Sequence, residues 1–225
     1  MLALKAPFVA VRTKHGESYG GNQGWSKDGV MARCGCGVVG AADTLLYLCR
    51  NRDYHIEALP ALGETLTPER YDALLGTLRK EYLPLIYPLG MNGLTLSMGV
   101  NALLRRSNIP LRAKWGAPRG RLYAVIAEML ARDIPVILSI GANFPFFRGK
   151  KKLTLYRESP SGAKLKARRV TAHFVTVTGM DALWLRVSSW GQMYYISRAE
   201  YDFYIRKHSC RFFSSILQIQ EAETK

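Results

Sequence analysis

The chain has 225 residues, 48% of them hydrophobic and 22% charged, and a formal net charge of +15. That length and balance support a sizeable buried core and exclude wholesale disorder, and no apolar stretch reaches the roughly 18–20 residues of a membrane span. Four cysteines, Cys34, Cys36, Cys49 and Cys210, are too few for a disulfide scaffold and lack paired metal-ligand spacing with histidines, so neither a zinc site nor another cofactor is expected.

Residues Met1 to Arg12 carry no positive stretch ahead of a sustained apolar core, which predicts no secretory leader and a cytoplasmic location. Gly20-Gly21-Asn22-Gln23-Gly24 reads as a loop. From Arg33 to Leu48 a glycine-rich approach gives way to the small and apolar residues of a buried helix, with Cys36 at its head. Unpaired N–H groups at a helix start stabilise a thiolate, and a neighbouring imidazolium stabilises it further. Read alone, Cys34-Gly35-Cys36 also admits a redox pair or part of a metal site. Cys49, later in the same helix, reads as a small buried hydrophobe.

Thr67-Pro68-Glu69 starts a second helix with Tyr71, Leu74, Leu75 and Leu78 at helical spacing, ending before Pro84. Asn92-Gly93 precedes a third, closing at Asn108 before Pro110, and Arg121 to Ala131 makes a fourth. From Ile134 the pattern changes to a continuous apolar run, Pro135 to Ile140, of strand length. A helical front (about 30–132) followed by a stranded back (about 134–220) predicts an α+β fold in one domain.

Much of the charge is local. Between Arg148 and Arg169 lie nine basic residues against Glu158 alone, 9 − 1 = +8 of the +15. The segment reads as a basic β-hairpin: either a solvated surface or a handle for an acidic partner, with nucleic acid the less favoured ligand because no nucleic-acid motif accompanies it.

His173 opens an alternating strand, Phe174 to Thr178, followed by a turn at Gly179–Ala182 and a return strand from Leu183 to Val187. A turn centred near Asp181 sets residue 189, within about two residues, opposite His173. Ser188, Ser189 and Trp190 therefore flank the imidazole. Asp181 lies roughly 25 Å along the strand, too far to orient it.

Together, Cys36-Gly37 heading a small-residue helix, Pro135-Val136-Ile137-Leu138, His173 to Gly179, and Ser188-Ser189-Trp190-Gly191 resemble papain-like cysteine peptidases. The nearest resemblance is to the bacterial branch that cleaves leader peptides after double glycine. It extends in order from about Gln23 to Tyr204, with Ser197-Arg198-Ala199-Glu200-Tyr201 similar to the family's closing segment. The resemblance implies a papain-like fold, a helical lobe packed on an antiparallel sheet, and hydrolysis of peptide or amide bonds. It makes Cys36, rather than Cys34, the nucleophile and His173 the general base. Gln23, or alternatively Asn22, would join the Cys36 N–H as oxyanion donor. Ser188 stands where the family has Asn or Asp; its hydroxyl accepts a hydrogen bond but carries no charge, with Ser189 as a neighbouring support. The alternative function is a catalytically weak or inactive binding module that holds an acidic partner on its basic hairpin.

Overall fold

The structure is a computed structural model, and the description covers residues 1–52, 54–59, 65–145 and 151–222. In chain order the elements are β1 (Leu2–Ala3), β2 (Arg12–Thr13), β3 (Gly16–Glu17), a 3₁₀ turn (Gln23–Trp25), α1 (Gly29–Cys34), α2 (Cys36–Arg52), α3 (Pro68–Glu81), α4 (Gly93–Arg106), β4 (Leu111–Trp115) and α5 (Leu122–Ala131). There follow β5 (Val136–Ile140), β6 (Leu153–Glu158), β7 (Lys164–Val170), β8 (His173–Met180), β9 (Trp184–Ser189), β10 (Gln192–Ser197), α6 (Arg198–His208) and β11 (Ile216–Glu221). The fold is α+β: among the described residues, six α-helices accompany one large antiparallel sheet.

The sheet runs β4-β11-β5-β8-β9-β10-β6-β7, with β1 also paired to β8. Its antiparallel pairing follows from short hairpin connections and returning strands. Helix starts are chemically marked: Thr67 accepts from the Arg70 N–H before Pro68, and Asn92 accepts from the Thr95 N–H at 2.9 Å. One apolar core joins α2, α3 and α4 to the inner face of the strands.

The division into a helical front and a stranded back is cruder than the molecule. β1 and β4 bring front-half residues into the sheet, and α6 lies in the back half. β4 had a period-2 signal, Leu111 and Ala113 buried between exposed Arg112 and Lys114, over only five residues. α1 falls mostly in a stretch to which the sequence pattern assigns no element; Asp28 caps it by accepting from the Val30 and Met31 N–H groups. Of the predicted basic hairpin, Arg148 and Lys150 lie outside the described residues, and the rest forms β6 and β7 at the sheet edge.

α2 is the central helix, buried from Gly37 to Cys49. Small residues let it approach the strands. A Cβ on Gly37 would come within 2.9 Å of Met91 Sδ and 3.3 Å of Phe174, and one on Gly40 within 3.2 Å of Ile137. That close packing brings Cys36, at the helix start, against the beginning of β8.

Candidate active site

A narrow cavity of about 10 Å³, the size of a single water, is lined by Gln23, Cys36, Asp43, His173, Ser188, Ser189 and Trp190 among others. The four residues singled out by the resemblance, Cys36, His173, Ser188 and Gln23, are thus brought together from α2, β8, β9 and the 3₁₀ turn. A larger cavity of about 270 Å³ between α5 and α6 shares none of them. Among the described residues, no group of three or more His, Cys, Asp or Glu side chains converges as a metal site would need.

Cys36 follows the break at Gly35, which ends α1 and whose carbonyl accepts from the Val39 N–H at 3.0 Å. The Phe174 and Gly37 N–H groups reach its sulfur and favour the thiolate, yet burial outweighs them and pushes the thiol up. The helix start alone therefore does not activate this cysteine in the narrow cavity.

His173 is buried, its Nε2 within 2.8 Å of Ser189 Oγ. Its ring stacks on Trp190, centroids 4.2 Å apart and planes 10° apart. Burial, and secondarily the charge of Arg168, push the imidazole down to about 3. At neutral pH it is an uncharged base with Nε2 engaged.

Ser189, not Ser188, holds the ring. Thr176 pairs with Ser188 and Val177 with Val187, so the hairpin is centred beyond Asp181, and its register slips again between Val177 and Gly179. Continuing the Thr176–Ser188 pairing sets His173 across from Gly191, which makes Ser189 its diagonal neighbour on the same face and turns Ser188 to the opposite one. The Ser188 hydroxyl instead donates to the Tyr19 carbonyl at 2.8 Å. Asp181 accepts from the Leu183 and Trp184 N–H groups and shapes the far turn.

Ser188 thereby helps to stitch the glycine-rich loop to the site. Tyr19 N–H donates to the Gly191 carbonyl at 2.9 Å, and Gly191 N–H to that of Gly21 at 2.8 Å. Gly21 in turn packs so closely on the Tyr71 ring that any side chain there would collide. The loop delivers Gln23, whose side-chain amide donates one hydrogen to Ala32 O at 3.0 Å and retains a second. Asn22 is occupied as the cap of the 3₁₀ turn, accepting from Gly24 N–H at 2.8 Å, and does not line the cavity.

Asp43 completes the cavity and was missed in the sequence. It lies two turns beyond Cys36 on the same face of α2, and an acid–apolar alternation offered no signal within a wholly buried helix.

Trp190 and Gly191 form the two-residue turn between β9 and β10 with φ of 49° and 71°. Both values are left-handed, a turn that favours Asn-Gly, so a tryptophan in the first position costs about 1 kcal/mol of backbone strain. Trp190→Asn is expected to lower stability by about 2–4 kcal/mol, since about 1 kcal/mol of turn relief does not offset the loss of an indole packed on His173 and Tyr194, while letting water reach the imidazole. The His173 titration, followed by NMR of the ring carbons, should then move upward from about 3; an unmoved titration would show that the indole does not shield it.

No family model matches the chain, and no match is found among curated proteins or solved structures.

Proposed function

We propose that the protein is a thiol-dependent hydrolase of peptide or amide bonds, working through an acyl-enzyme on Cys36. One observation carries the reading: a thiol at a helix start shares a cavity with an imidazole fixed by Ser189 and stacked on Trp190. With the ring hydrogen on Nε2 and Ser189 accepting it, Nδ1 is the free base. As a substrate carbonyl enters, Nδ1 takes the thiol proton while sulfur attacks the carbonyl carbon, and the imidazolium then protonates the leaving amine. Water, deprotonated by the same nitrogen, releases the acid from the thioester. The Cys36 N–H and the second Gln23 amide hydrogen are the donors for the oxyanion. Because the cavity holds about one water, substrate must widen it, and the groups that rest neutral ionise only as it does.

The test is turnover of a quenched fluorescent peptide library, with acid-quenched samples searched by mass spectrometry for acylated cysteines. The expected adduct is on Cys36 and disappears in Cys36→Ala. Turnover that survives Cys36→Ala, or adducts on no cysteine, would overturn the reading.

A second reading is a papain-like module that retains the fold without turnover. It is favoured by the neutral resting pair and by a serine hydroxyl where a carboxamide or carboxylate would fix the ring tautomer. It predicts peptide binding with no acylated Cys36 in the same experiment.

A further inference from the structure

β7 closes one end of the large sheet and, among the described residues, pairs only with β6, which leaves its other backbone edge open among them. It carries Lys164, Lys166, Arg168 and Arg169, and from Leu165 to Arg169 every residue is exposed. Lys164 is neutralised by Glu158. No carboxylate among the described residues pairs with Lys166, Arg168 or Arg169. Basic residues on an edge strand often serve only to keep sheets of different molecules apart. Arg168 does more, because its guanidinium carbon sits 4.8 Å from the centroid of a Trp190 ring. That same indole stacks on His173 at 4.2 Å. A cationic edge is thus linked through the Trp190 indole to the imidazole of the proposed site.

Resting on the hydrolase reading above, we infer that the substrate is an acidic peptide segment that lies extended along the open edge of β7 and sets a carboxylate side chain on Arg168, beside the Cys36–His173 centre. Charge complementarity selects the partner: three unpaired cations of one sign on an edge that offers backbone N–H and C=O groups to an incoming strand. Arginine suits the role because its planar fork binds a carboxylate with two hydrogen bonds while its face rests on the indole. Docking also has a consequence at the base. A carboxylate on Arg168 cancels the positive charge that, after burial, holds the imidazole down, so His173 becomes a better proton acceptor when the matching substrate is in place.

The test needs no turnover and uses the full chain. Binding of a dye-labelled alternating Glu–Ala peptide is compared with its Gln–Ala counterpart by fluorescence anisotropy. In parallel, 5-fluorotryptophan reports the four tryptophans separately by fluorine NMR, with the Trp190 signal assigned through Trp190→Phe. The Glu–Ala peptide is expected to bind about ten-fold or more tightly than the Gln–Ala one. Arg168→Gln should remove most of that difference, and Lys166→Gln or Arg169→Gln part of it. Arg112→Gln, an exposed change on β4 at the opposite edge of the sheet, should remove little. The Trp190 signal should shift on binding. Equal losses in Arg168→Gln and Arg112→Gln, or an unmoved Trp190 signal, would overturn the inference, as would a single-stranded oligonucleotide that binds more tightly than the Glu–Ala peptide. Failure of the hydrolase reading has a separate signature, the absence of an acylated Cys36 whatever the peptide affinity.

Discussion

His173→Gln is expected to lower turnover by about four orders of magnitude while leaving the protein folded, and Ser189→Ala to lower it by only about ten- to a hundred-fold. The glutamine keeps a polar group within reach of Ser189 but offers no basic nitrogen, so it removes proton transfer and preserves most of the contact. His173→Ala would also empty space beneath the Trp190 ring and confound chemistry with stability, at about 2–4 kcal/mol for a buried ring of this size. Ser189→Ala costs less because a hydroxyl can donate or accept: it fixes where the imidazole lies but not which nitrogen carries the hydrogen, and stacking on Trp190 keeps the ring in place without it. Ser188→Ala separates the two serines. It orphans the Tyr19 carbonyl, a loss of about 1–2 kcal/mol in a urea titration, and should leave the chemical step nearly intact. A large loss of turnover in Ser188→Ala with none in Ser189→Ala would reverse the assignment made from the strand register.

That register marks where sequence reasoning stopped. Cys36 at a helix start and His173 at a strand start were legible because each announces itself by local pattern: small residues entering an apolar run, and an alternating run ahead of a turn. The choice between Ser188 and Ser189 depends on one residue of register, which a turn centred slightly past Asp181 and a slip at Val177–Gly179 decide. Asp43 was hidden for the opposite reason. In a helix buried on every side no periodicity distinguishes the cavity face, and only packing shows that the residue two turns after Cys36 meets the Gly21 amide and the Tyr71 hydroxyl. The elevated reactivity expected of a helix-start thiol is likewise a local expectation; desolvation in the narrow cavity opposes it, a property of the assembled fold. β7 showed its charge in the sequence, but its link to the imidazole through Trp190 depends on three strands meeting.

Asp43 supports the second large prediction, a pH dependence of stability that Asp43→Asn removes. Asp43 is 1% exposed, accepts from the Gly21 N–H at 3.0 and 3.1 Å and from the Tyr71 hydroxyl at 2.7 Å, and has no cation against it among the described residues. These donors favour the carboxylate, but burial outweighs them and raises the group from 3.8 to about 7. The folded protein therefore holds this proton more tightly than the unfolded chain. Its contribution to stability is full below about pH 4, declines across the interval up to about 7, and is lost above it. At 1.36 kcal/mol per unit, a rise of about three units corresponds to about 4 kcal/mol. Other groups titrate over the same range, His173 in the opposite sense because its depressed value makes stability fall as pH drops below 6.5, but they are common to both proteins and cancel in the comparison. The carboxamide introduced by Asp43→Asn keeps a carbonyl acceptor for both donors and cannot titrate. The stability of wild type minus that of Asp43→Asn, from urea midpoints, should thus decline by about 4 kcal/mol from about pH 4 to 8. Parallel curves would mean that the carboxylate is better solvated than its burial implies. The same titration matters to the site, since Asp43 lines the cavity with Cys36: near neutral pH it is part neutral and part charged, and a carboxylate there opposes formation of the thiolate.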